Sequence, residues 1–81
     1  MAFEVFVDGI FVGYVDNPEE FINRFKEYRR KGMIPYFVNI YYDEERNAID
    51  ITTRKGRILR PLIVVKNGKP LLTKEHLEKL E

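Results

Sequence analysis

The chain has 81 residues and no cysteine. At that length one core gives a narrow stability margin, and the missing thiols exclude a disulfide framework, a thiolate metal site and a cysteine nucleophile. Fourteen Lys and Arg against thirteen Asp and Glu leave a formal charge of +1, far from the footprint of a dedicated nucleic-acid binder, and no apolar run nears the roughly 18 residues of a membrane span.

Phe3 to Val7 and Ile10 to Val15 are β-rich runs separated by Asp8-Gly9, the two-residue signal of a type I′ hairpin. Strict alternation puts Phe3, Val5, Val7, Ile10, Val12 and Tyr14 on one face and Glu4, Phe6, Phe11, Gly13 and Val15 on the other. Phe6 and Phe11 then form a cross-strand aromatic pair, read either as half covered by the protein's own helix or as a docking surface for another domain. The next stretch, DNPEEFINRFKEYRRKG, carries the punctuation of one helix. Asn17 is the N-cap, Pro18 the first helical residue, and Glu20 sits where a capping box needs a carboxylate. Arg29, Arg30 and Lys31 stand at the negative end of the helix dipole, and Gly32 closes the helix. Phe21, Ile22, Phe25 and Tyr28 make one apolar stripe to lie on a sheet.

Tyr36 to Tyr42 and Ala48 to Thr53 read as a second hairpin around the polar turn 43–47, with Val38, Ile40 and Tyr42 alternating against Phe37, Asn39 and Tyr41. Arg57 to Val65 is the longest β-rich run, and Pro61 inside it predicts either an edge strand or a bulge, because proline donates nothing to a ladder. Asn67-Gly68 makes the last turn, and Thr73 caps a short terminal helix with Leu77 and Leu80 as its apolar seam. The fold class expected is α+β: two β-hairpins and an edge strand in a mixed or antiparallel sheet, packed by one amphipathic helix, with a short C-terminal helix.

Chemistry-bearing patterns are few. His76 is the single histidine and follows Glu75 without the second histidine of an H-E-x-x-H site, so it reads as an exposed helix residue. Neither VDGIFVG nor RKGR has the glycine spacing and terminal Lys-Ser/Thr of a phosphate-binding loop. Asp43, Glu44 and Glu45 are adjacent in a turn rather than converging, and the chain has no serine. No catalytic residues, cofactor or metal ligands are assigned. Arg57 and Arg60 are three apart on a strand, hence on opposite faces unless the chain bulges near Pro61. Arg60 reads either as a surface arginine with its stem along the sheet or as a structural clamp onto carbonyls or a carboxylate.

The opening VFVDGIFVGYVDNPEEFINRFKEYRRKG and the later GRILRPLIVVKNGKPLLTKEHLEKL resemble, in order and over nearly the whole chain, the external region of the second-largest subunit of archaeal and eukaryotic DNA-directed RNA polymerases. Gly56, Arg57, Arg60, Pro61 and Leu62 match the G-R-x-x-R-P-L motif. One departure is Thr53-Arg54-Lys55-Gly56-Arg57, where two cations replace the acidic turn residue usual in the family. The resemblance implies an excised α+β piece, residues 1–65 being the first external domain and 66–81 the start of the next. It implies a noncatalytic structural role in an enzyme of DNA-templated nucleotidyl transfer, with no cofactor in this piece. Phe6, Phe11, Gly56, Arg57, Arg60, Pro61 and Leu62 are the expected structural or interdomain residues. Partners are other domains and subunits of the polymerase, with DNA and RNA met only through the assembled enzyme and no membrane. The location expected is cytoplasmic, or nuclear in a eukaryotic source. The rival class is a free-standing nucleic-acid-binding module using Arg54, Lys55, Arg57 and the Arg29 to Lys31 cluster.

Overall fold

A computed structural model describes residues 2–81. The chain runs through β1 (Phe3–Val7), β2 (Ile10–Val15), α1 (Pro18–Arg30), β3 (Phe37–Asp43), β4 (Ala48–Thr53), β5 (Ile58–Lys66) and α2 (Lys74–Leu80). The strands form one antiparallel sheet in the order β2-β1-β5-β4-β3. The α+β class holds, with one correction: the proline-bearing strand is the middle of the sheet, not its edge. The bulge alternative accounts for Pro61. Between the pairs Ile49↔Ile63 and Ile51↔Leu59, Asp50 of β4 faces the three residues Arg60, Pro61 and Leu62 of β5, while pairing with β1 stops at Val7↔Ile63. Pro61 therefore lies off both ladders, where its missing N–H forfeits no bond. The Arg60–Pro61 peptide bond is cis.

Asp8 and Gly9 take φ of 50° and 80°, the two left-handed residues of a type I′ turn. The alternation expected along β2 fails after Phe11. The register passes from Phe6↔Phe11 to Val5↔Gly13, so Val12 is an extra residue and everything beyond it changes face. Val15 is buried at 1% exposure and Tyr14 is out in solvent, the reverse of strict alternation. Gly13, at φ 138°, supplies the backbone that this bulge needs. A second slip, between Phe37↔Thr53 and Asn39↔Thr52, turns Val38 outward while Phe37 and Ile40 both face the core.

The helix follows its sequence signals closely. Asn17 accepts the Glu20 N–H at 2.8 Å, and the Glu20 carboxylate accepts from the Asp16 N–H at 3.1 Å, one residue earlier than an ideal capping box. At the other end Gly32 (φ 77°) donates to the Arg29 carbonyl and Met33 to that of Tyr28, the paired bonds of a Schellman motif. Phe21, Ile22, Phe25 and Tyr28 are buried against the inner sheet residues Val5, Val7, Val15, Ile49, Ile51, Ile63 and Val65 in one cluster. Burial raises the Tyr28 hydroxyl above the ordinary tyrosine range. Leu71, Leu72 and Leu80 belong to the same cluster, so α2 is docked rather than free, which a helix of this length requires.

Candidate interaction surfaces

Three surfaces carry the residues singled out in the sequence. The first is the outer face of the β1–β2 hairpin. Val5 and Val7 point into the core, so Phe6 between them points away from α1. The Phe6 and Phe11 rings meet edge to face at 5.5 Å, Tyr14 extends the chain of rings at 5.2 Å from Phe11, and the Lys66 ammonium lies 4.6 Å from the Phe6 centroid. The aromatic pair is real, but the helix does not cover it; Phe11 is 47% exposed.

The second surface is built by the β4–β5 turn and the bulge. Thr53 N–H donates to the Arg57 carbonyl at 2.8 Å and Gly56 N–H to that of Thr53 at 2.9 Å, with Gly56 at φ 80°. The turn residues Arg54 and Lys55 point to solvent, and the Arg54 guanidinium sits 5.8 Å over the ring of Tyr36. Leu62 is buried and its carbonyl accepts the Asp8 N–H at 2.7 Å, whereas Arg57, Arg60 and Pro61 are exposed. Arg57 precedes β5 and Arg60 sits in its bulge, so strict alternation does not relate the two arginines. Both border one cleft of about 430 Å³ with Asp8, Met33, Pro35 and Ile58. Neither guanidinium has a hydrogen bond or ion pair among the described residues; the ion pairs there are Arg24–Glu20, Lys31–Glu27 and Arg46–Asp43. Arg60 is thus a surface arginine within this chain, not a clamp onto it.

The third surface, residues 67–73, is held by groups the sequence did not mark. Asn47, 4% exposed and at φ 48°, accepts from the Tyr42 hydroxyl and from the Leu71 N–H (2.8 Å), and donates to the Lys69 carbonyl. Tyr42 in turn accepts from the Leu71 and Leu72 N–H groups at 3.0 and 3.2 Å. Its partners lie far along the sequence, so local patterning carries no trace of the network. Arg29 is a second omission, with a legible signal: it continues Phe21 and Phe25 at i+4 spacing. Its guanidinium lies 5.3 Å from the Phe25 ring centroid and 4.9 Å from that of Phe37, and donates to the Leu80 carbonyl, tying α2 to α1. The expected basic cluster therefore dissolves: Arg29 is half-buried against the Phe25 and Phe37 rings, Lys31 pairs with Glu27 at 3.0 Å, and Arg30 alone of the three is exposed without an ion pair. His76 is half buried rather than exposed, because its Nδ1 accepts the Thr73 N–H at 2.9 Å and helps to start α2; the ring proton then resides on Nε2.

No three His, Asp or Glu side chains gather as a metal-ligand set among the described residues, and no helix there is long and apolar enough to cross a membrane. The family model described as RNA polymerase Rpb2, domain 4, matches residues 5–66. Over 80 residues, 99% of the chain, the sequence is 36% identical to DNA-directed RNA polymerase III subunit RPC2 of Saccharomyces cerevisiae. It is 40% identical over 80 residues, 96% of the chain, to DNA-directed RNA polymerase subunit Rpo2 of Saccharolobus shibatae, and 34% identical over 99% of the chain to the rpc2 subunit of Dictyostelium discoideum. The chain spans 7%, 7% and 5% of those relatives' lengths. No solved structure matches it at comparable significance. With the ordered motifs, the five-stranded sheet and a family match over most of the length, the chain belongs to the domain 4 family of RNA polymerase Rpb2, the second-largest subunit.

Proposed function

We propose that this chain acts as a noncatalytic bracing domain on the outside of the second-largest subunit of a DNA-directed RNA polymerase, supporting an assembly that performs templated RNA synthesis. The observation that carries the reading is the match to polymerase subunits along nearly the entire chain, set beside a surface that presents aromatic rings and, among the described residues, arginines without ion pairs. Residues 1–65 form the first external domain and 66–81 lead into the next; the family match ends at residue 66, while Leu71, Leu72 and Leu80 dock the following segment on the same core. Phe6, Phe11, Arg57, Arg60 and Pro61 meet neighbouring polymerase domains, while Gly56 and Leu62 set the turn and the bulge that present them. The domain holds no cofactor of its own, and it meets DNA and RNA only through the assembled enzyme, in the cytoplasm or, in a eukaryote, the nucleus.

The test is native purification of the tagged gene product from its own cells. It should elute in a high-mass particle with the largest polymerase subunit and with DNA-templated RNA synthesis. Elution as a free protein without that activity would overturn the reading.

A further inference from the structure

From Ile51 to Lys74 the sequence contains no Asp or Glu. The fold gathers the cations of the first part of this run at one end of the sheet, beside the connector that follows α1. Arg54, Arg57 and Arg60 stand there exposed, and the three ion pairs among the described residues all lie elsewhere, on α1 and in the turn after β3. A chain with a net charge of only +1 thus carries, among the described residues, a local excess of positive charge there, with Asp8 as the one acidic residue on the cleft. Gathering like charges costs some stability, which an acidic contact from outside the chain relieves.

The shape of this pole narrows what fits it. Arg57 and Arg60 line a single, largely polar cleft that also carries two exposed apolar side chains, Met33 and Ile58, at 39% and 49% exposure. An arginine fork binds a carboxylate bidentately, and two forks on one cleft hold a carboxylate with defined orientation. The exposed Met33 and Ile58 side chains suit an aliphatic side chain next to it. An extended phosphate backbone fits less well, because Asp8 stands on the same cleft and repels a run of phosphates more than one carboxylate drawn to the arginines. We infer that the cleft between Arg57 and Arg60 is the seat of an acidic segment of a neighbouring protein chain, one carboxylate between the guanidiniums and an aliphatic side chain against Met33 and Ile58. This deepens the bracing role by naming the chemistry of one contact, and rests on that role only for which protein supplies the segment.

The test is a titration of the isotope-labelled chain, followed by amide NMR shifts. The probes are a short peptide alternating leucine and glutamate, the same peptide with glutamine for glutamate, and a short single-stranded oligonucleotide. The acidic peptide should give saturable shifts confined to residues 33–36 and 56–62, and the glutamine peptide none. Affinity should fall about tenfold or more in an Arg57→Gln, Arg60→Gln double variant, on the scale of lost charge-assisted hydrogen bonds. A Lys69→Gln variant, altered beside the opposite turn, should bind as the parent does. Shifts scattered over the surface, no saturation at millimolar peptide, or equal loss in the Lys69→Gln variant would each overturn the inference. So would tighter binding of the oligonucleotide with a steep salt dependence, which would assign the pole to nucleic acid. The parent chain's shift map decides these points even if the double variant folds poorly, and none of them bears on whether the tagged protein elutes with a polymerase.

Discussion

The two turns at opposite ends of β4 differ in where their polar groups go. At the β3–β4 turn the Asp43 carboxylate accepts from the Glu45 N–H at 3.0 Å and from the Arg46 Nε at 2.6 Å, and Asn47 turns inward to hold residues 69–71. At the β4–β5 turn the backbone closes on itself, but Arg54, Lys55, Arg57 and Arg60 all project outward, without an ion pair. One turn directs its hydrogen bonds to the fold; the other leaves its charges for something outside it. A polar turn is therefore informative about contacts only once its partners are known, and sequence composition alone does not separate the two kinds.

Five variants break or sharpen this contrast, each read from the urea midpoint of the purified chain unless stated. Phe25→Ala sets the scale, since it empties a site at 0% exposure shared by α1, Phe37 and Arg29; a loss of about 3–5 kcal/mol is expected. Asn47→Ala should cost about 2–4 kcal/mol, because it strands the Tyr42 hydroxyl proton and the Lys69 carbonyl, leaves the Leu71 N–H with Tyr42 alone, and leaves a left-handed residue without its asparagine. Asn47→Gly separates the two causes: it relieves the backbone but not the lost bonds, so it should recover only a minor share. If Asn47→Ala melts like the parent, the turn is not closed in the sense described. Asp43 tests the same turn through pH. The hydrogen bond from Arg46 holds its carboxylate below the usual aspartate range, so its contribution is present above the unfolded value of about 4 and disappears as pH falls through the lower folded value. Asp43→Asn should therefore flatten the fall in melting temperature below about pH 4; an unchanged acid limb would contradict the assignment. Arg60→Gln stands at the other extreme and should change stability by under about 0.5 kcal/mol, the range of an exposed substitution. A loss above 1 kcal/mol would mean a partner for Arg60 inside the chain.

The sequence was most legible where the determinants are local. Asp8-Gly9 specifies its turn, and Asn17, Pro18 and Gly32 bound the helix, because each acts on backbone within a few residues of itself. Faces were legible only up to the first bulge. Val12 and Val38 each add one residue to a strand, and period-2 reasoning then assigns Tyr14, Val15 and Val38 to the wrong side. Gly13 was a cue to the first of these; Val38 offered none. The central place of β5 was hidden for a different reason: Pro61 permits an edge or a bulge, and only the length of strand beyond it that pairs with β1 decides. The cleft lined by Arg57 and Arg60 was hidden as well, since it also draws on Asp8, Met33 and Pro35 from distant parts of the chain. The Asn47 network joins the turn after β3 to residues 69–71, a separation at which no pattern in one sequence reports contact.

The position of β5 between β1 and β4 also sets the order of events as the chain folds. Each hairpin and the helix close over short separations, but the two halves of the sheet join only when Val7 finds Ile63 and Glu4 finds Lys66, near opposite ends of the chain. That late closure carries the loop entropy of most of the molecule and places the domain among slow, high-contact-order folders. During synthesis, β1 therefore waits with an unpaired edge, its own outward Phe6 and the neighbouring Phe11 exposed, until the residues of β5 have emerged. A truncation before residue 63 is expected to aggregate rather than to populate a smaller version of the same sheet.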